Sequence, residues 1–142
     1  MKILSIEPFV PSGSNFEAAK QFFQDLGFHI NWEMDGYIGF QCDDCRFILQ
    51  RYDIPEFARN FMLSVKVSNV EEFRTTVLDK KLPETYGIRI GQITQQPYGK
   101  EVNVIDLAGV CWNFLNNDLV GVLSNELHHT LFQRLEYSSE QF

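Results

Sequence analysis

Two helix-start signals in this chain are each set in the same order of neighbours. Ser14-Asn-Phe-Glu17 is a capping box, in which the Ser and the Glu each satisfy an orphan N–H of a first helical turn. Ser68-Asn-Val-Glu-Glu72 holds a second one, with Ser68 pairing to Glu71 or Asn69 to Glu72. Before the first lies an apolar run, Ile3–Val10, stopped by Pro11-Ser-Gly; before the second lies Phe61–Val67. Both read as strands. The first helix puts Phe16, Ala19, Phe22, Phe23 and Leu26 on one face and stops at Gly27, suited to a left-handed C′ position. Phe28–Glu33, Tyr37–Cys42 and Cys45–Arg51 follow as strands, turned at Asp35-Gly36 and Asp43-Asp44. Tyr52–Asn60, with Pro55 and mixed charge, reads as a connector. The second helix carries Val70, Phe73, Val77 and Leu78 on one side and ends near Leu82-Pro83. Tyr86–Ile93 is then a strand and 95–99 a loop. Lys100–Ile105 and Val110–Leu115 form a closing hairpin around Asp106-Leu-Ala-Gly109. The order β-α-β-β-β is therefore used twice, although residue identity between the halves is weak.

An α+β chain of two such units needs a shared apolar interior. Thirteen Phe in 142 residues supply it, or line a cavity with rings. The length suits one domain. Asp118–Leu135 adds an amphipathic helix with Leu119, Leu123, Leu127, Leu131 and Leu135 every four residues, and the tail from Glu136 frays. A net charge of −7 argues against nucleic acid and against an anionic membrane surface, and permits a cationic ligand. Met1–Val10 lacks the pattern of a signal peptide, and no stretch approaches a membrane span. Three Cys, odd in number and sparse, suit a reducing cytoplasm.

The chemical motifs are few. Cys42-Asp-Asp-Cys45 can be half a zinc site or a redox pair, but no second pair completes a zinc set and a redox CxxC normally opens a helix. It reads as two small residues flanking a turn. His128 and His129 point about 100° apart on a helix, which suits a solvated or interface role. No Ser-His-Asp order, phosphate loop or dinucleotide fingerprint is visible.

Four stretches resemble motifs of the vicinal oxygen chelate superfamily, which includes glyoxalase I, extradiol dioxygenases and bleomycin-resistance proteins. Phe22-Phe23-Gln-Asp-Leu-Gly-Phe28 is similar to its aromatic-aromatic-x-x-Leu-Gly-Phe helix end, and Val67-Ser-Asn-Val70 to its Val-x-Asp-Val entry to the second half. Tyr98-Gly-Lys-Glu101 is similar to the Trp-Gly-x-Glu of the bleomycin-resistance branch, and Asp106-Leu-Ala-Gly109 to its Asp-Pro-x-Gly turn, with Leu107 where Pro is usual. The resemblance implies tandem βαβββ modules, about 3–52 and 61–115, forming cupped mixed sheets in a domain of residues 1–117, with 118–142 as a C-terminal helix and tail. It also implies a pocket inside the cups, and a homodimer in which halves of different chains build each pocket.

Enzymes of the superfamily hold a divalent metal at four positions on facing strands. The resemblance puts these near Glu7, within Phe47–Gln50, at Met62 where His is frequent, and at Asn113 where Glu is usual. Met is a soft ligand, wrong for Mg²⁺ or Mn²⁺, and Asn lacks the charge of Glu. Glu7 is the one weak metal candidate. By strand parity, an inward Asn113 brings Cys111 and Asn103 with it and turns Val110, Trp112 and Phe114 to the helix side. Trp32, Phe40 and Phe47 are candidate aromatic walls, as in bleomycin-resistance proteins. Lys66 shares parity with Met62; it enters the cup paired with Glu101 or Glu7, or it lies with Glu101 solvated at the rim. The resulting expectation is a cytoplasmic protein without cofactor that binds and sequesters a small aromatic or cationic compound through Trp32, Phe40, Phe47, Met62, Lys66, Glu101, Asn103, Cys111 and Asn113. The alternatives are a metal-dependent lyase or isomerase of the glyoxalase type and a ligand-free interaction domain.

Overall fold

The structure, a computed structural model, describes residues 1–116. The expected helix Asp118–Leu135 and the tail lie outside the described residues. In chain order the elements are β1 (Phe9–Pro11), α1 (Phe16–Leu26), β2 (His29–Met34), β3 (Tyr37–Cys42), β4 (Cys45–Gln50), α2 (Pro55–Arg59) and β5 (Met62–Lys66). There follow α3 (Val70–Asp79), α4 (Leu82–Tyr86), β6 (Arg89–Ile90), β7 (Thr94–Gln96), β8 (Gly99–Ile105) and β9 (Cys111–Asn116).

The repeat in element order is a repeat in topology. In the first sheet the order is β1-β4-β3-β2, with β1 parallel to β4 and the other pairs antiparallel. In the second it is β5-β9-β8-β6, with β7 also on β8, and β5 again lies parallel to the last strand of its unit, β9. Both sheets are therefore mixed. Helices α1 and α3 each pack on one face of their sheet, and the two packed faces meet in one core. The Phe23 ring of α1 lies 4.8 Å from Phe47, 5.7 Å from Phe40 and 5.4 Å from Trp112 of the second sheet. Phe73 of α3 stacks on Phe114 at 3.9 Å. Rings of this size bury the largest apolar area per residue, so this cluster holds the two units together.

Local details depart from the sequence expectations for identifiable reasons. The first strand is only Phe9–Pro11, because Pro8 has no N–H to give and the chain before it finds no strand partner among the described residues. Ile3, Leu4 and Ile6 are left exposed. The cap of α1 is Asn15, one residue later than expected, its Oδ1 accepting from Ala18 N–H at 3.0 Å. At α3 the choice falls on Asn69, which accepts from Glu72 N–H at 2.9 Å. The second helix does not run on to Leu82. Lys81 takes a left-handed conformation (φ 55°), and a separate short helix begins with Pro83 in its first turn. The connector 52–60 contains α2, with Pro55 at its start. Strand Tyr86–Ile93 shrinks to Arg89–Ile90, while part of the expected loop, Thr94–Gln96, pairs with β8.

Candidate functional site

On β8 and β9 the register pairs Asn103 with Asn113, and on the other side of β9 Ser64 with Asn113. Alternation then puts Glu101, Asn103, Cys111 and Asn113 on the face away from α3, and Val102, Val104, Trp112 and Phe114 on the packed face. Glu101 is 2 % exposed and Asn113 1 %. One Glu101 carboxylate oxygen, Oε2, accepts from the Tyr98 hydroxyl at 2.9 Å and from Asn113 Nδ2 at 3.0 Å. Asn113 Nδ2 also donates to Asn103 Oδ1 at 2.9 Å. Both donations fix the orientation of the amide: turned over, its oxygen would face the carboxylate. The same geometry leaves Asn113 Oδ1 buried and, among the described residues, without a donor. An unpaired buried acceptor costs about 1–3 kcal/mol, and a hydrogen-bond donor brought to it would recover that.

Tyr98 belongs to this network and was not among the expected site residues. The only signal for it in the sequence was its place at the head of Tyr98-Gly-Lys-Glu101. Its ring is buried and its hydroxyl is spent on Glu101.

Beyond the network, Asp106 opens the β8–β9 turn. Its Oδ1 accepts from the N–H groups of Ala108, Gly109 and Val110 at 3.0, 3.1 and 3.0 Å. Its Oδ2 accepts from the Trp112 indole at 2.9 Å. Burial pushes this carboxyl up to about 6, against the pull of the four donors. A cavity of about 660 Å³ lies beside the turn, bounded by Glu56, Arg59, Arg89, Asp106 and Cys111. Cys111 is buried, and its thiol is pushed up to about 11, first by burial and then by Asp106 and Glu101.

The other expected residues are distributed differently. Phe40 and Phe47 lie on the packed face of the first sheet, within the Phe23 cluster, because Phe40, Phe47 and Leu49 all alternate toward α1. They are core rings, and Phe47 also borders a cleft of about 400 Å³ with Leu4, Ile6, Lys66 and Trp112 at the seam between the sheets. Trp32 lies on the opposite, open face, 37 % exposed, with its indole laid across Gly39. Phe9, 52 % exposed, meets Tyr37 edge-on on that face. Lys66 is exposed and lines two clefts beside Cys45. Glu101 is enclosed, not solvated. Met62 is half-buried opposite Cys111. Glu7 accepts a hydrogen bond from Ser5 at 2.9 Å, well outside the network. Among the described residues no three His, Cys, Asp or Glu side chains converge as a metal set. The donors that do gather are one carboxylate and two amides, with no His among them.

No family model matches the sequence, and no curated protein matches it. Solved structures do match in three dimensions. The bleomycin-binding protein of bleomycin-producing Streptomyces verticillus, complexed with copper(II)-bleomycin, superposes with a TM-score of 0.66 at 18 % identity, over 83 % of this chain and 99 % of that one. A bleomycin resistance determinant encoded on a transposon gives 0.68 at 21 %, over 81 % and 98 %. Lactoylglutathione lyase from Agrobacterium tumefaciens gives 0.62 at 16 %, over 83 % and 97 %. The chain has the fold of the bleomycin-resistance and glyoxalase proteins. At these identities the likeness carries the architecture, and the site must be argued from this chain's own residues. No helix among the described residues is long and apolar enough to cross a membrane.

Proposed function

We propose that this protein binds and sequesters a small aromatic or cationic compound, without metal and without chemistry. The observation that carries the reading is the Asn113 amide oxygen, buried and lacking a donor among the described residues, in a hydrogen-bonded set whose other members are paired. A ligand N–H, most favourably a cationic one, completes it, with Glu101 adjacent. Apolar walls come from the open face of the first sheet, where Trp32 and Phe9 are exposed. The packed faces of both sheets meet in one core, so within one chain the two open faces turn away from each other. A pocket using both therefore needs a second copy, which supports a homodimer with shared pockets. The fold's use in bleomycin-binding proteins is in keeping with this. Free thiols at Cys42, Cys45 and Cys111 suit a cytoplasmic location.

The test is a thermal-shift screen of bleomycin-like, cationic and aromatic compounds. A hit at 100 times its Kd adds about 2.7 kcal/mol of stability. Asn113→Leu removes the acceptor and is expected to weaken the hit about tenfold or more, at about 1.4 kcal/mol per tenfold. A screen that is flat over the whole set sinks the reading in favour of an interaction domain. Stoichiometric Zn, Ni, Mn or Fe by X-ray fluorescence on purified protein sinks the metal-free part. Sedimentation on dilution tests the dimer; a monomer that still binds the hit refutes the shared pocket.

A further inference from the structure

We infer that Cys42 and Cys45 form a reversible disulfide, making the β3–β4 hairpin tip a thiol-redox site. The two residues end their strands as direct cross-strand partners, with Asp43 and Asp44 alone between them. Directly paired residues in antiparallel strands have Cα atoms about 4.5–5.5 Å apart, inside the range of about 4.4–6.8 Å that a disulfide spans. In such pairs the Cβ atoms lie about 4.5–5.5 Å apart, whereas a disulfide prefers about 3.8 Å. Closure therefore asks the tip to tighten by about an ångström, and the ring it closes is too short to gain much chain entropy. Both effects make the bond easy to reduce, as in a switch and unlike a permanent staple. The turn tolerates the adjustment, since Asp43 already takes a left-handed conformation (φ 51°) that Asp accepts more readily than most residues.

Access divides the roles. Cys45 is exposed and borders two clefts, of about 400 and 420 Å³, both of which Lys66 also lines. Lys66 offers a cation to an anionic disulfide reagent otherwise repelled by Asp43 and Asp44. Cys42 is half-buried, and desolvation first, then Asp43 and Cys45, holds its thiol above the ordinary value. The reaction is exchange with a low-molecular-weight disulfide. The Cys45 thiolate attacks one sulfur of the reagent and expels the other as a thiolate, leaving a mixed disulfide. The Cys42 thiolate then attacks Cys45 Sγ and expels the second small thiolate. Two protein thiols are oxidised, one reagent disulfide is reduced to two thiols, and both protein protons pass to the solvent or the leaving thiolates. Cys111, buried with its thiol pushed up to about 11, stays out of it.

The experiment equilibrates the full chain with oxidised and reduced glutathione in varying ratio, quenches with acid, alkylates under denaturation and maps tryptic peptides. Peptide 21–46 carries both Cys42 and Cys45, and peptide 101–134 carries Cys111. In excess oxidised glutathione, peptide 21–46 is expected unalkylated and lighter by two hydrogens, with Cys111 alkylated; in excess reduced glutathione both thiols are alkylated again. Cys42→Ser should trap glutathione on Cys45, and Cys45→Ser should pick up several-fold less. The proposal is overturned if the wild-type peptide is alkylated at both positions under oxidation, retains a glutathione adduct at the level of Cys42→Ser, or is cross-linked to Cys111 or to another chain.

Discussion

Replacing Asp106 by Asn isolates a buried titration. The side chain keeps its size, and its Oδ1 can still accept from Ala108, Gly109 and Val110. What is lost is the ionisable group and the bond from the Trp112 indole, which would face an NH₂ instead of an acceptor. In the folded protein burial raises the Asp106 carboxyl from 3.8 to about 6. An acid whose pKa is raised by folding binds more protons folded than unfolded between those two values. Its contribution to stability is therefore fully present below about pH 4 and lost as the pH rises through about 6. A shift of about two units corresponds to about 3 kcal/mol, at 1.36 kcal/mol per unit. Urea unfolding of both proteins from pH 4 to pH 7.5 gives two stability curves. Carboxylates common to both cancel in the difference, as does the constant loss of the indole bond. Wild type should gain about 3 kcal/mol on Asp106→Asn between the alkaline and the acid end. A flat difference would refute the raised value. A slope of opposite sign would mean that the four donors outweigh burial and hold the carboxyl below its ordinary range.

Phe23→Ala empties the centre of the ring cluster, since Phe23 touches Phe22, Phe28, Phe40, Phe47 and Trp112. It should cost about 3–5 kcal/mol in chemical denaturation, against about 1 kcal/mol or less for Phe9→Ala on the open face; equal losses would contradict a single shared core. Gly39→Ala sets a methyl where the Trp32 indole lies, so the ring must lift off the sheet. Quenching of Trp32 emission should rise while Trp112, buried in the Phe23 cluster, is unaffected, at a stability cost of about 1–3 kcal/mol. Unchanged quenching would mean that the ring does not rest there.

Within the fold, what could be read early was whatever neighbouring residues decide. The ends of β3 and β4 follow from Asp43-Asp44, the entry to α3 from Asn69, and the closing turn from Asp106 and Gly109. Parity along β9 puts Trp112 and Phe114 on one face and Cys111 and Asn113 on the other, and the structure has them so. Where the outcome depended on a distant partner, the reading faltered. Ile3–Glu7 is as apolar as a strand but pairs with none among the described residues, and Thr94–Gln96 is polar yet pairs with β8. Phe40 and Phe47, expected as pocket walls, are core rings, because alternation says which residues share a face and not which face meets the helix.

The sequence alone determined the twice-used order of elements and the turn between Cys42 and Cys45. Those depend on spacing, side-chain chemistry and local backbone preference, which act over a few residues. Only the tertiary structure decided that β1 lies on β4 and β5 on β9, that Tyr98, Glu101, Asn103 and Asn113 share one buried hydrogen-bond network, and that one amide oxygen in it lacks a donor among the described residues. Strand pairing and burial are set by the partner a residue meets from elsewhere in the chain, and satisfaction of a polar group is a property of the whole enclosure around it.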